Sequence, residues 1–449
     1  MKRFAAFILS LCMAVCLLAT PAAAVGYDPS TSYTVQADSA YIVNTDTNII
    51  IYEKNSEQPM QANSLTQLMT VALVLTNYAD ALDTTTVTQP QAISDYVYGT
   101  KEHADVRIGE TLTLRQALYA IMVSNANEVT MTTAYCLSGN DLTGWVSQMN
   151  SLSQKIGTTG SVWTDACGID DGNTTTARDM YLILRYLMGF DAFVEIAGSY
   201  SCEMPANTRH SNPYGLYSYN KMLSKSAGGQ FYRAAAQGGK VDLPGYSNDN
   251  HGKQSAVSWT TQNGESYIFS IMGSPDSCDT YGYSTRRPAL YETNRLIDWV
   301  YASFAIQAAL DTDQPISEVS VAYSSGIDRL KLYPADSMMT ILPSGSDSTV
   351  TQKIFNLPEQ VYAPIKQGDV VGSVTLLLAG EVIGQVDLLA GQDVDRSTIK
   401  FTAAKIQQFF GSLYLRVVIV VTLLTVAGYV CWSVHDTIRR RNSKKVQRW

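Results

Sequence analysis

At 449 residues, 46 % of them hydrophobic, the chain is long enough for two or three domains with a sizeable core. Its formal net charge is −8, and outside residues 1–24 and 413–449 it holds 23 basic against 39 acidic residues, a balance of −16. So acidic a body excludes the phosphate-neutralising surface that nucleic acid requires.

Lys2 and Arg3 lead into the apolar run from Phe4 to Leu18, and Pro21-Ala22-Ala23-Ala24 then offers the small residues that a signal peptidase cleaves after. Residues 1–24 therefore read as a signal peptide, with the mature chain starting near Val25. Ala40 to Asn44 and Ile49 to Glu53 are apolar-rich runs around Thr45-Asp46-Thr47-Asn48, the pattern of a β-hairpin. Leu65, Leu68, Met69 and Ala72 recur at helical spacing, which places Ser64 in the first turn of a helix. Helical patterns return at Leu114 to Met122, Asn127 to Leu137 and Ala177 to Met188. Between Ser255 and Gly273, two β-like runs flank Asn263-Gly264, a strong hairpin signal, and Glu292 to Phe304 reads as a closing helix. Strands at both sequence ends with helices between them give an α+β domain over residues 33–305.

From Gln314-Pro315 the texture changes. Runs at Val319, Leu330, Val370 and Val386 are short, β-rich and punctuated by Gly, Pro, Asp and Ser, which reads as a small all-β domain over residues 314–394. Ile399, Ala403, Ile406, Phe410 and Leu413 resume helical spacing beside Lys400 and Lys405. Residues 396–412 read as an amphipathic stem on a membrane surface or as the first turns of an anchor. Val417 to Val434 is 18 residues without a charge, near the lower limit for crossing a bilayer, so residues 413–435 are taken as a transmembrane helix. The tail 436–449 carries Arg439, Arg440, Arg441, Lys444, Lys445 and Arg448, and the positive-inside bias puts it in the cytoplasm with the bulk of the chain outside.

Seven cysteines are present. Cys12 and Cys16 leave with the signal and Cys431 lies in the span. Cys136, Cys167, Cys202 and Cys278 remain, and in an oxidising exterior four thiols allow three complete pairings; isolated buried thiols are the competing reading. Their spacing forms no metal motif, and His103, His210, His251 and His435 are scattered, so no metal is expected.

Ser64 is the candidate nucleophile. A serine that transfers acyl groups needs a base for its proton, a relay to the leaving amine, and donors for the oxyanion. A base three residues after the serine would share its helix face. Here that position is Gln67. The text around it, Ala40 to Lys54 followed by Ala62-Asn-Ser-Leu-Thr-Gln-Leu-Met-Thr70, resembles the D-alanyl-D-alanine carboxypeptidase family of low-molecular-weight penicillin-binding proteins. That family reads Ser-x-x-Lys at this point. Gly109 to Glu128 is similar to the family segment ending in Ser-Ala-Asn-Asp, which sets Asn125-Ala126-Asn127 against Ser-x-Asn. Trp145 to Asn150 and Gly172 to Asp179 also resemble family text. Gly238-Gly-Lys-Val-Asp-Leu-Pro-Gly-Tyr-Ser247 stands, with extra residues, where the family has Gly-x-Lys-Thr-Gly-Tyr-Thr.

The resemblance implies a serine β-lactamase/DD-peptidase-like α+β domain, an antiparallel sheet with helices plus a helical subdomain. It also implies a small β domain, a membrane anchor and a peptidoglycan setting in which the terminal D-alanine of a stem peptide is removed without a cofactor. In that register Ser64 holds the nucleophile position, Gln67 stands in place of the base lysine and Asn125 in place of the relay serine. Asn127, Lys240 and Val241 fall on substrate-binding positions.

Each change has a physical cost. An amide accepts no proton near neutral pH, and general acid–base groups are worth about 10²–10⁴-fold each. Val241 deletes a hydroxyl that would hold the substrate carboxylate, and Asp242 sets a negative charge beside an anionic ligand. Hydrolysis is therefore expected to be severely impaired or lost, and the alternative reading is a non-catalytic peptidoglycan-binding or scaffold pseudoenzyme. Further readings stand beside these. Ser64 alone could be a helix cap. Ser218-Tyr-Asn-Lys221 and Ser397-Thr-Ile-Lys400 also match Ser-x-x-Lys, and Ser138-Gly139-Asn140 matches Ser-x-Asn in a loop after its helix. Arg178-Asp179 is expected to form structural hydrogen bonds at a helix start. A β-lactamase is disfavoured by the extra β domain and anchor. No protein partner is named by the sequence.

Overall fold

The computed structural model describes residues 29, 33–100, 102–225, 232–242, 253–275, 277–278, 283–284, 287–344, 351–378 and 381–446. The signal peptide reading lies outside these residues, as does Leu243 to Ser247 of the third motif. Two compact units divide the chain, the first holding residues up to Gln307 together with Met339–Gln352 and Leu378–Ile383, the second the remainder.

In the first unit, β1 (Ser39–Asn44), β2 (Ile50–Lys54), β3 (Ala236–Val241), β4 (Gln254–Gln262) and β5 (Glu265–Ser274) form one antiparallel sheet in the order β2-β1-β5-β4-β3. Alternate residues of a strand point to opposite faces, and both faces here are covered. Tyr41, Val43, Val257, Trp259 and Ile268 join a core shared with α1 (Gln67–Tyr78), α2 (Leu114–Ser124), α3 (Asn127–Leu137), α4 (Leu142–Ile156) and α5 (Ala177–Leu187). Ala40, Ile42, Ala256, Phe269 and Ile271 instead meet Leu290, Leu296, Ile297 and Val300 of α6 (Pro288–Ser303). The expected hairpin between β4 and β5 turns at Asn263 and Gly264, whose φ values of 54° and 83° are those an Asn-Gly turn supplies at low cost.

Helix α1 is apolar all round and buried from Gln67 to Leu75, so packing rather than propensity holds it. α2 opens with a reciprocal capping box: Gln116 N–H donates to Thr113 Oγ1 and Thr113 N–H to Gln116 Oε1. It ends at Asn125 in the left-handed conformation, φ 53°, and α3 begins two residues later. That tight α2–α3 corner is what aims Asn125 and Asn127 toward the foot of α1.

The second unit is built on a six-stranded sheet whose strands run from Ser317 to Ala390, with Val319, Val321, Leu330, Leu332, Val374, Leu376 and Leu388 buried. One pairing, Ser317–Ala322 with Gln360–Tyr362, is parallel. Two strands are not anticipated from the sequence: Thr351–Asn356, mostly polar and so without the apolar-run signal, and Met338–Pro343, a short apolar run nearly all of which belongs to the first unit. α7 (Thr398–Gly411) is capped by Ser397, whose Oγ accepts from Lys400 N–H, so this Ser-x-x-Lys match is a helix cap. α8 (Leu413–Val446) is the helix expected to end near residue 435, and it continues through the basic tail because Arg and Lys are good helix formers. Its stretch Leu413–Arg440 is long and apolar enough to cross a membrane.

Candidate functional site

Ser64 lies in a 3-10 turn, Asn63–Thr66, that runs straight into α1, and its side chain is almost wholly buried. It does not cap the helix; Thr66 occupies that position and no side chain makes the capping bond. The turn is held from below by Gly168, φ 94°, where an added Cβ would sit 1.8 Å from the Asn63 carbonyl oxygen. Asp165 fixes Gly168 in turn by accepting from the N–H groups of Cys167 and Gly168.

Gln67 does reach the position one helical turn beyond Ser64, fully buried, and its amide is used at both ends. Nε2 donates to Asn125 O at 3.0 Å and to Asn127 Oδ1 at 2.9 Å, while Oε1 accepts from Lys240 Nζ at 2.6 Å. Lys240 also donates to Ile121 O at 2.5 Å and is 1 % exposed. Instead of presenting a charge to an open cleft, it is drawn inward onto the glutamine. Burial holds its amine well below the usual lysine range, against the opposing pull of Asp242. No hydrogen bond joins Lys240 Nζ to Ser64 Oγ among the described residues.

Asn125, expected as a substitute relay or substrate contact, gives its Nδ2 to Val241 O at 3.0 Å. Val241 itself is buried, its side chain in the apolar core on the α6 side. Asn127 faces Glu102 as well as Gln67: its Nδ2 lies 3.4 Å from Glu102 Oε2 and its N–H donates to Glu102 O. Asp242, read from the sequence as a charge repelling an anionic ligand, is instead a partner of the serine turn. Its Oδ1 accepts from Ser64 N–H at 3.3 Å and its Oδ2 from Asn63 Nδ2 at 2.9 Å. Burial pushes its carboxyl up to about 7, although the hydrogen bonds from Asn63 and Ser64 pull it down. The extra acid beside Lys240 was the only sequence signal for it; Glu102 and Ile121 gave none.

The competing motifs resolve simply. Ser218 Oγ accepts from Asn220 N–H and Lys221 turns to the Tyr200 hydroxyl, so the two are not paired. Ser138 ends α3, and Asn140, φ 74°, is an exposed turn residue. Asp179 accepts from Thr159 N–H, Gly160 N–H and Ser161 Oγ, the structural role expected of it. Cys136, Cys167 and Cys202 are free thiols, which favours the isolated reading over the paired one.

A serine at the foot of a buried helix, flanked by a helix corner and an edge strand of an antiparallel sheet, defines the penicillin-recognising class of serine acyl-transfer proteins. Residues 26–226 match the family model for D-alanyl-D-alanine carboxypeptidase and residues 305–396 that for the penicillin-binding protein 5 C-terminal domain. The chain belongs to the D-alanyl-D-alanine carboxypeptidase family of low-molecular-weight penicillin-binding proteins. It is 21 % identical to the carboxypeptidase DacF of Bacillus subtilis over 81 % of this chain and 87 % of that one. Against the carboxypeptidase DacA of Haemophilus influenzae it is 23 % identical over the same shares. Among solved structures, penicillin-binding protein 5 of H. influenzae aligns with a TM-score of 0.58 at 21 % identity, covering 83 % of this chain and 100 % of that one. The carboxypeptidase DacD of Francisella tularensis aligns with a TM-score of 0.60 at 17 % identity over 83 % and 97 %. At these identities the structural likeness speaks for the fold alone.

Proposed function

We propose that this chain is a cell-envelope protein of peptidoglycan metabolism in which D-alanyl-D-alanine hydrolysis is severely impaired or lost. The observation that carries the reading is Gln67: the group next along the helix from Ser64 is a buried amide with both ends hydrogen-bonded, and an amide has no basicity to offer a serine hydroxyl. Ser64 is the relic nucleophile. Asn125 and Asn127 keep the α2–α3 corner in place, and Lys240 and Val241 belong to a strand once shaped for a substrate carboxylate. Residues 33–305 form the carboxypeptidase-like domain, 314–394 the small β domain and 396–412 the stem. A single span at 413–435 anchors the protein, with the bulk outside and residues 436–449 in the cytoplasm.

The test is release of D-alanine from a stem pentapeptide by the full-length chain in detergent micelles. The expected result is no release above that of the Ser64→Ala variant. Ser64-dependent turnover would overturn the reading. A scaffold role is favoured over residual catalysis because the Gln67 and Asn125 amides and the Lys240 amine spend their donors on one another, on Asn127 and on the backbone.

A further inference from the structure

The edge strand β3 and its exit are joined to the serine side of the cleft at three points. Lys240 Nζ meets Gln67 Oε1, Asn125 Nδ2 meets Val241 O, and Ser64 N–H meets Asp242 Oδ1. The third bond matters most chemically. Acyl transfer places its developing oxyanion on backbone N–H groups beside the nucleophile, and the nucleophile's own N–H at a helix start is one such donor. Here that donor already holds a carboxyl oxygen, and the second oxygen is held by Asn63 Nδ2 at 2.9 Å.

Neither partner is placed to let go. Asp242 is 1 % exposed, its N–H donates to Ser255 O and its carbonyl accepts from Gln254 Nε2, both at 2.8 Å. On the other side, the Asn63 carbonyl lies so close to Gly168 that a side chain there would not fit. The Val241 carbonyl, on the strand edge where an extended peptide would add by main-chain pairing, is taken by Asn125.

We propose that Asp242 is a built-in ligand of the serine pocket: its carboxyl group occupies the place of a substrate's acyl oxygen and closes the cleft to D-alanyl peptides and penicillins, independently of the missing base. The inference rests on Ser64 being the nucleophile position, as proposed above, but makes a separate claim about why the site is closed.

Labelling by a fluorescent penicillin separates the two. The full-length chain in detergent micelles is compared as wild type, Gln67→Lys, Asp242→Gly and the pair Gln67→Lys/Asp242→Gly. Asp242→Ala is run in parallel should the glycine variant fail to melt cooperatively. The pair is expected to label on Ser64, and Gln67→Lys alone to label about 10²–10³-fold more slowly, the cost of losing one oxyanion donor. Equal labelling of Gln67→Lys and the pair overturns the Asp242 proposal and leaves the lost-base reading intact. A folded pair that stays unlabelled overturns it as well. Labelling of Asp242→Gly alone does the reverse: it supports Asp242 as the stopper and removes the lost-base reading.

Discussion

On the proposed reading the buried amide of Gln67 gives the Ser64 hydroxyl no base, and the titratable groups nearest this pair are Lys240 and Asp242. Lys240 and Asp242 are both fully buried two residues apart, and burial drives both toward their neutral forms. Their effects on stability have opposite signs. Asp242, pushed up to about 7 from an unfolded value of about 3.9, contributes stability that is fully present below about pH 4 and lost as pH rises through about 7. Lys240, held low, contributes stability that is present above its unfolded value of about 10.4 and lost as pH falls through its folded one. The groups facing Asp242 from other elements are Ser64, Asn63 and the Glu102 charge. Asp242→Asn is therefore expected to flatten the fall in Tm between about pH 4 and pH 7, as read by thermal melts of the full-length chain in micelles. An unchanged slope would mean that Asp242 is not the group that titrates there.

At the scale of elements, the foot of α1 depends on a glycine that touches it from another loop. Gly168→Ala would force a positive φ on alanine and drive a methyl into the Asn63 carbonyl, so a loss of about 1–3 kcal/mol or more is expected in denaturant unfolding. A neutral result would show that the 63–64 turn moves freely, against the close contact described above. How much of this was legible in the sequence follows from the range of the forces involved. Periodicity and turn chemistry are local, so α1, the α2–α3 corner, the β4–β5 hairpin and α6 could be read from their own residues. Ser64, Gln67, Asn125, Asn127, Lys240 and Val241 could be placed because flanking text set the register. What Lys240 does could not, since its direction is decided by Ile121 and Gln67, which lie 119 and 173 residues away in sequence. Asp242 read as a repulsive charge facing an incoming anion, whereas tertiary packing turned it onto the Ser64 amide.

At the scale of the whole molecule, α8 is the candidate membrane span among the described residues. Its stretch Leu413–Arg440 is long and apolar enough to cross a bilayer, whereas α7, with Ile399, Ile406, Phe409 and Phe410 exposed, has the apolar side chains of a surface-lying helix. Ending the chain after Ser412 is expected to convert an alkaline-carbonate-resistant membrane protein into an extractable one. Continued resistance would assign the anchoring to α7. The central claim is that Ser64 is an unactivated alcohol inside a carboxypeptidase fold. The most direct measurement of it is the intact mass of the full-length wild-type chain after incubation with excess penicillin at neutral pH. No added acyl mass at Ser64 is the result expected; a stoichiometric adduct that disappears in Ser64→Ala would contradict the account.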